Sequence, residues 1–229
     1  MTKHALIVGA GPGLSASLAR MFAGAGYKIV LAARNTDKLG DLCAELGATA
    51  HACDAADAGS VKALFEVLDA SGATPDLVIY NASGRVRGPI AELDLDQVQA
   101  ALAVTSWGAL AVAHEAAKRM LPKGEGTMLF TGASAGIKGF AGSAPFAMGK
   151  FALRGLCQSL ARELSPQNIH VVHFVIDGMI YNPARGAPFN DPDKTLHPDE
   201  IARSYLEISR QHKSAWTSEL ELRPSVETF

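Results

Sequence analysis

The sequence predicts an α/β fold: a single doubly wound parallel sheet of about seven strands with helices on both faces. Three observations predict it. Short apolar runs rich in Val, Ile and Leu alternate with longer segments of helical period from one end of the chain to the other. The first run, Ala5–Val8, passes through a glycine turn straight into a helix, the pattern of a βα unit. No repeat and no low-complexity linker breaks the alternation, so the 229 residues read as one domain, 1–229.

The elements follow in order. After the first strand, Leu14, Leu18, Met21, Phe22 and Ala25 give a helix with one apolar face. Lys28–Ala33 is a second apolar strand, and Asp37–Leu46 a helix ended by Gly47. Thr49–Cys53 is a third strand closed by Asp54, and Ser60–Ala70 a helix with Val61, Leu64, Phe65 and Leu68 on one side. Asp76–Tyr80 is the fourth strand. Two helices follow, Leu95–Ala101 and Val104–Leu121, the second stopped by Pro122. Thr127–Thr131 is the fifth strand, Phe146–Leu164 a long helix and Ile169–Ile176 the sixth strand. His170 and His173 lie three apart there and point to opposite faces. Pro198–Gln211 is a last helix with Pro in its first turn, and Trp216–Leu222 alternates as a final edge strand. Parallel βα units place a ligand at the carboxyl ends of the strands. Gly11, Arg34, Asp54, Asn81, Thr131 and Gly178 all fall there.

The glycine turn Gly9-Ala10-Gly11-Pro12-Gly13-Leu14-Ser15 carries the first chemistry. Its glycines let the backbone turn tightly and approach a ligand. Free N–H groups and the dipole at the helix start favour a phosphate. A tight turn with no ligand has the same composition, but position after a strand and before a helix favours a dinucleotide entrance.

Bulk composition excludes other classes. Apolar residues make up 48% and charged residues 19%, as in a globular chain, and the net charge of −2 comes without a basic cluster, against a nucleic-acid partner. No apolar run spans a bilayer and no signal segment is evident, so no membrane association and a cytoplasmic location are expected. Cys43, Cys53 and Cys157 are few, odd in number and far apart, which fits a reducing compartment, and the scattered histidines suggest no metal site. Asp177–His197 lacks periodicity and holds Pro183, Pro188 and Pro192. It reads as a lid, 177–197, over a substrate pocket rather than a floppy excursion.

In this order and spacing the motifs resemble the short-chain dehydrogenase/reductase family over nearly the whole chain. Gly9–Ser15 is similar to the family's T-G-x-x-x-G-x-G, with Val8 for Thr and Ser15 for the last Gly. Asp54 matches the residue that meets the adenine, Asn81-Ala82 the N-A-G after the fourth strand, and Asp177-Gly178 the P-G after the sixth. Asn182 falls where a Thr holds the nicotinamide amide. The resemblance implies a single NAD(P)-binding Rossmann domain, with Gly9, Gly11, Gly13, Leu14, Arg34, Asp54, Asn81, Lys150, Gly178 and Ile180 around the cofactor. NAD-binding members carry an acid at the end of the second strand for the ribose 2′-OH. Here that strand ends Ala33-Arg34-Asn35, and Arg34 offers a fork of donors to a 2′-phosphate, so NADP(H) is expected over NAD(H).

The resemblance breaks at the residues that would catalyse. The family uses an Asn, a Ser and a Tyr-x-x-x-Lys. Lys150 stands at the Lys position, and counting back puts Phe146 in the Tyr slot, Ala133 in the Ser slot and Thr105 in the Asn slot. Phe146 can neither donate nor accept a proton. Ser134, Ser143 and Tyr181 are alternative donors, each as readily an ordinary polar residue. Three readings follow: an NADP(H)-dependent oxidoreductase of a small carbonyl or alcohol with a rearranged acid; an inactive NADP(H)-binding sensor or partner protein; and elimination or isomerisation with Lys150 as base. The resemblance also implies a homodimer or homotetramer through Val104–Leu121 and Phe146–Leu164, and the aromatics at the ends of Trp216–Phe229 suggest a second contact.

Overall fold

A computed structural model describes residues 2–227. Seven strands run β1 (His4–Val8), β2 (Lys28–Ala33), β3 (Thr49–Ala52), β4 (Leu77–Tyr80), β5 (Gly126–Thr131), β6 (Ile169–Ile176) and β7 (Glu219–Leu222). They form one sheet, ordered β3-β2-β1-β4-β5-β6-β7, with every neighbouring pair parallel. The order reverses beside β1, which pairs with β2 on one edge and β4 on the other. A crevice at the carboxyl ends opens at such a reversal.

The inner strands are largely apolar because both faces are covered, whereas the edge strands β3 and β7 carry polar residues and are partly exposed. Successive side chains point to opposite faces. Leu6 and Val8 of β1 join one core with Phe65, Val112, Ala116, Leu153 and Cys157. Ala5 and Ile7 join the other with Leu18, Phe22, Leu42, Ile201 and Tyr205. The first core packs beneath α3 (Ala58–Ala70), α5 (Gly108–Lys123) and α6 (Ala144–Leu164). The second packs beneath α1 (Leu14–Gly24), α2 (Gly40–Leu46) and α7 (Pro198–Ser209). This is the doubly wound sheet expected from the alternation.

Several boundaries differ for local reasons. Residues Asp37–Leu39 form a 3-10 turn, and the α-helix starts only at Gly40. Helix α4 (Leu95–Leu102) does not break before α5; a π turn, Ala103–Trp107, joins them. Pro122 does not stop α5, which runs one residue past it to Lys123. The stop is Gly124, in the left-handed region at φ +70, whose N–H caps the carbonyls of Met120 and Leu121. Strand β7 starts at Glu219, later than Trp216, because the indole stacks on the imidazole of His170 at 4.6 Å between centroids. Of the expected C-terminal contact, Thr228 and Phe229 lie outside the described residues.

Residues 177–197 are an ordered excursion. Ile180 and Leu196 form a parallel bridge, with Tyr181 N–H on the Leu196 carbonyl and Leu196 N–H on the Met179 carbonyl, both at 2.8 Å. Thr195 and Leu196 are buried, so the segment returns onto the body of the protein.

Candidate active site

The glycine turn is built by backbone geometry and one buried serine. Gly9 has φ +85, and a Cβ there would lie 2.4 Å from the Ala82 nitrogen, so glycine is required. Gly13 caps α1 with φ +100. A Cβ on Gly11 or Gly13 would meet nothing within 4 Å, so open space lies against both. Ser15 is buried; its hydroxyl donates to the Gly9 carbonyl (3.0 Å) and accepts from the Asn81 amide (2.7 Å). The departure from glycine at 15 therefore ties the turn after β1 to the end of β4.

Beside this turn lies a cleft of about 360 Å³. It brings together four expected cofactor residues, Gly9, Arg34, Asp54 and Asn81. Arg34 and Lys38 stand at the β2 end of it, and neither forms an ion pair with a carboxylate among the described residues. Asp54 is shaped by its own turn: its carboxylate accepts from Ala56 N–H at 3.0 Å. Leu14 is buried in the core below the turn. Lys150, Gly178 and Ile180 lie farther along, near the ends of β5 and β6, and do not line this cleft. A second cavity of about 420 Å³, lined by Gln158, Arg162, His173 and Glu219, sits by the C-terminal half of α6, apart from the glycine turn.

The other end of the crevice is organised around α6. Pro145 sits in its first turn, and Phe146 and Lys150 follow one turn apart. Lys150 is only 3% exposed, and its Nζ donates to the Thr131 carbonyl at 2.8 Å. Burial pulls its pKa down to about 8. The Thr131 hydroxyl in turn accepts from Tyr205 at 3.0 Å, and burial raises that phenol's pKa. Two cations lie near the Phe146 ring. Lys150 Nζ is 5.8 Å and the Arg85 guanidinium carbon 4.9 Å from the ring centroid.

Arg85 is held there by its neighbours. The Gly84 N–H donates to the Thr105 hydroxyl at 2.9 Å, and a Cβ on Gly84 would lie 2.4 Å from the Ala101 Cα. Thr105 is buried in the π turn, where the Tyr80 hydroxyl also donates to the Val104 carbonyl. Gly88 N–H donates to the Gly142 carbonyl at 3.0 Å, joining the loop after β4 to the approach to α6.

The remaining candidates are placed as follows. Ala133 is extended, and Ser134 opens a 3-10 turn. Ser143 is buried at the N-cap of α6. Tyr181 stacks on His197 at 4.9 Å. Gly178 has φ +145, and Asp177 is paired with Arg223 at 2.7 Å. The Asn182 side chain accepts from Ala184 N–H at 3.2 Å, within its own turn. Sequence reasoning missed Lys38 and Arg85. Lys38 carried a readable signal, a second cation four residues after Arg34 in the same strand-to-helix connection. Arg85 carried none, because a loop residue has no periodicity.

A family model described as short chain dehydrogenase matches residues 3–187. The chain therefore belongs to the short-chain dehydrogenase family, a family of oxidoreductases. An uncharacterized oxidoreductase of Staphylococcus aureus (strain N315) is 27% identical over 226 residues, covering 97% of each chain. D-threitol dehydrogenase of Mycolicibacterium smegmatis is 29% identical, covering 87% of this chain and 83% of its own. A crystal structure of a short-chain dehydrogenase from Rhodopseudomonas palustris is 34% identical with a TM-score of 0.84, covering 97% and 98%. A metagenomic short-chain oxidoreductase crystallised in complex with NADP is 27% identical with a TM-score of 0.83, covering 98% of each chain.

Proposed function

We propose that this chain is an NADP(H)-dependent oxidoreductase acting on a small carbonyl or alcohol. One observation carries the cofactor choice: the cleft holds Arg34 and Lys38 at the end of β2, with no acid between Ala33 and Thr36. The open space against Gly11 and Gly13, on the turn that enters this cleft at Gly9 and Ala10, fits a diphosphate. When bound, NADP(H) supplies or takes up a hydride at its nicotinamide. The chain's own residues hold and orient it. Gly9, Gly11, Gly13 and Leu14 form the phosphate end, Arg34 and Lys38 take a 2′-phosphate, Asp54 and Asn81 bound the adenosine side, and Gly178 and Ile180 support the nicotinamide end. Residues 177–197 act as the lid that excludes water from the substrate, within one domain, 1–229.

In this reading Ala133, Phe146 and Thr105 replace the family's Ser, Tyr and Asn, and Lys150 remains. Lys150 Nζ then keeps a proton one helical turn from Phe146, and the usual phenol donor is gone. A positioned acid is typically worth about 10²–10⁴ in rate, so turnover by wild type is expected to be slow. That same loss supports a second reading, an NADP(H)-binding sensor or partner protein without turnover. Fluorescence titration with NADPH and NADH tests the cofactor. NADPH should bind at least about tenfold tighter, a difference of ~1.4 kcal/mol, and Arg34→Ala with Lys38→Ala should erase the gap. Equal binding in wild type overturns it. Ala133→Ser with Phe146→Tyr separates the two readings. Gain of carbonyl reduction by the double variant alone supports the binding protein, and measurable wild-type turnover supports the enzyme.

Assembly belongs to the same proposal. Leu110 on α5 and Met148 and Phe151 on α6 are 42, 58 and 43% exposed, an apolar set that a second copy of the chain would cover in a homodimer or homotetramer.

A further inference from the structure

The substrate end of the crevice is marked by three arginines. Arg85 and Arg87 come from the loop after β4, and Arg185 from the 3-10 turn Pro183–Arg185 within 177–197. The Arg85 guanidinium rests on the Phe146 ring, and that of Arg185 rests on Phe189 at 4.3 Å from its centroid. Each is thereby held by a flat apolar platform, which leaves its N–H donors free to face a ligand. Among the described residues none of the three forms an ion pair with a carboxylate. Partial burial, then the fields of Arg87 and Arg185, lower the Arg85 pKa. Three like charges from two segments thus stand exposed near one another, with no carboxylate paired to any of them among the described residues.

We infer that the substrate carries an anionic group, a carboxylate or a phosphate ester, which Arg85 binds through its fork of donors, with Arg185 bringing a second cation from the lid segment. The inference rests on the NADP(H) oxidoreductase reading and adds the substrate class to it. Arg85 stays protonated throughout the physiological range, so it recognises an oxyanion without titrating. Its place over Phe146, one helical turn from Lys150, sets the bound anion beside the position where the family's reaction occurs. Gly84, wedged against Ala101 and bonded to Thr105, fixes the backbone from which Arg85 projects. The residues at 105 and 146 thus serve to position an anion receptor.

The test uses the full chain saturated with NADP⁺ and matched pairs of probes read by calorimetry. Pyruvate, oxaloacetate and 2-oxoglutarate are compared with their methyl esters, and dihydroxyacetone phosphate with dihydroxyacetone. The carboxylate and phosphate arms tell the two anions apart. In at least one pair the charged member should bind about tenfold or more tighter than its neutral counterpart, as a charge-assisted bidentate contact provides. Arg85→Met should bring the pair within about threefold, Arg85→Lys should recover part of the gap, and the melting temperature should stay put in both variants. Neutral members binding as well as charged ones, no charged probe binding, or discrimination surviving in Arg85→Met each overturns the inference. Wild type that fails to bind NADPH overturns the cofactor reading and this inference with it; NADPH binding without charge discrimination overturns this inference alone.

Discussion

Lys150 is a buried lysine whose only hydrogen-bond partner among the described residues is a main-chain carbonyl, that of Thr131. Its pKa falls from 10.5 to about 8 on folding because the charged form loses its water. Between those two values the unfolded chain binds more protons than the folded one, so this group makes stability rise with pH. Below pH 8 the penalty is present in full, of order 3 kcal/mol. Lys150→Met should therefore be more stable than wild type at pH 7, and the difference should shrink as urea titrations are repeated up to pH 10. A stability gap that stays constant with pH would place the ammonium in contact with water. Gly9 is the opposite case, a position fixed by space. Gly9→Ala places a methyl 2.4 Å from the Ala82 nitrogen at φ +85, and it should cost about 2 kcal/mol or more along with NADPH binding. Denaturant midpoints and nucleotide fluorescence of the variant check both.

At the scale of elements, the edge of the sheet depends on one polar cluster. Glu219 of β7 accepts two bonds from Arg154 of α6, at 2.7 and 2.8 Å, and contacts the buried His173 of β6 at 3.0 Å. The Arg154 guanidinium, then the histidine, holds the Glu219 carboxyl below its usual range against some opposing desolvation. A depressed carboxyl stabilises above its unfolded pKa and loses that contribution as pH falls through the folded value. Glu219→Gln should thus destabilise by about 1 kcal/mol at pH 7, a figure kept small by solvent around the pair, and the loss should shrink steadily in melts taken from pH 7 down through the carboxylate range. Elements of this kind differ in how readily the sequence shows them. Strands β2 and β6 are read to the residue, because burial on both faces leaves an unbroken apolar run with abrupt polar ends. The glycine turn and its neighbours at 34, 54 and 81 are equally legible, since they sit where strands end. The π turn at 103–107 is not, because its sequence keeps helical composition while its hydrogen bonds shift by one residue. Nor is the placement of Arg85, which depends on Gly84 being pressed against a helix distant in sequence.

For the molecule as a whole, a nucleotide bound across the ends of several strands should act on global stability. At a hundred times its Kd, NADPH should add about 2.7 kcal/mol and raise Tm by about 5–10 °C for a chain of this size. NADH at the same concentration should do less, and differential scanning fluorimetry reads both. Self-association is checked by light scattering after size-exclusion chromatography. Met148→Glu with Phe151→Glu should shift a dimer or tetramer toward monomer, with little change in the melting curve of the fold itself.

The sheet order has a consequence for biosynthesis. Strand β1 is made almost at once, yet its second partner is β4, and the segments between them all belong to one half of the sheet. On a ribosome adding about 5–20 residues per second, that inner edge waits several seconds with its amides and carbonyls bare. The newborn N-terminal half is therefore the stage at which a chaperone has something to hold.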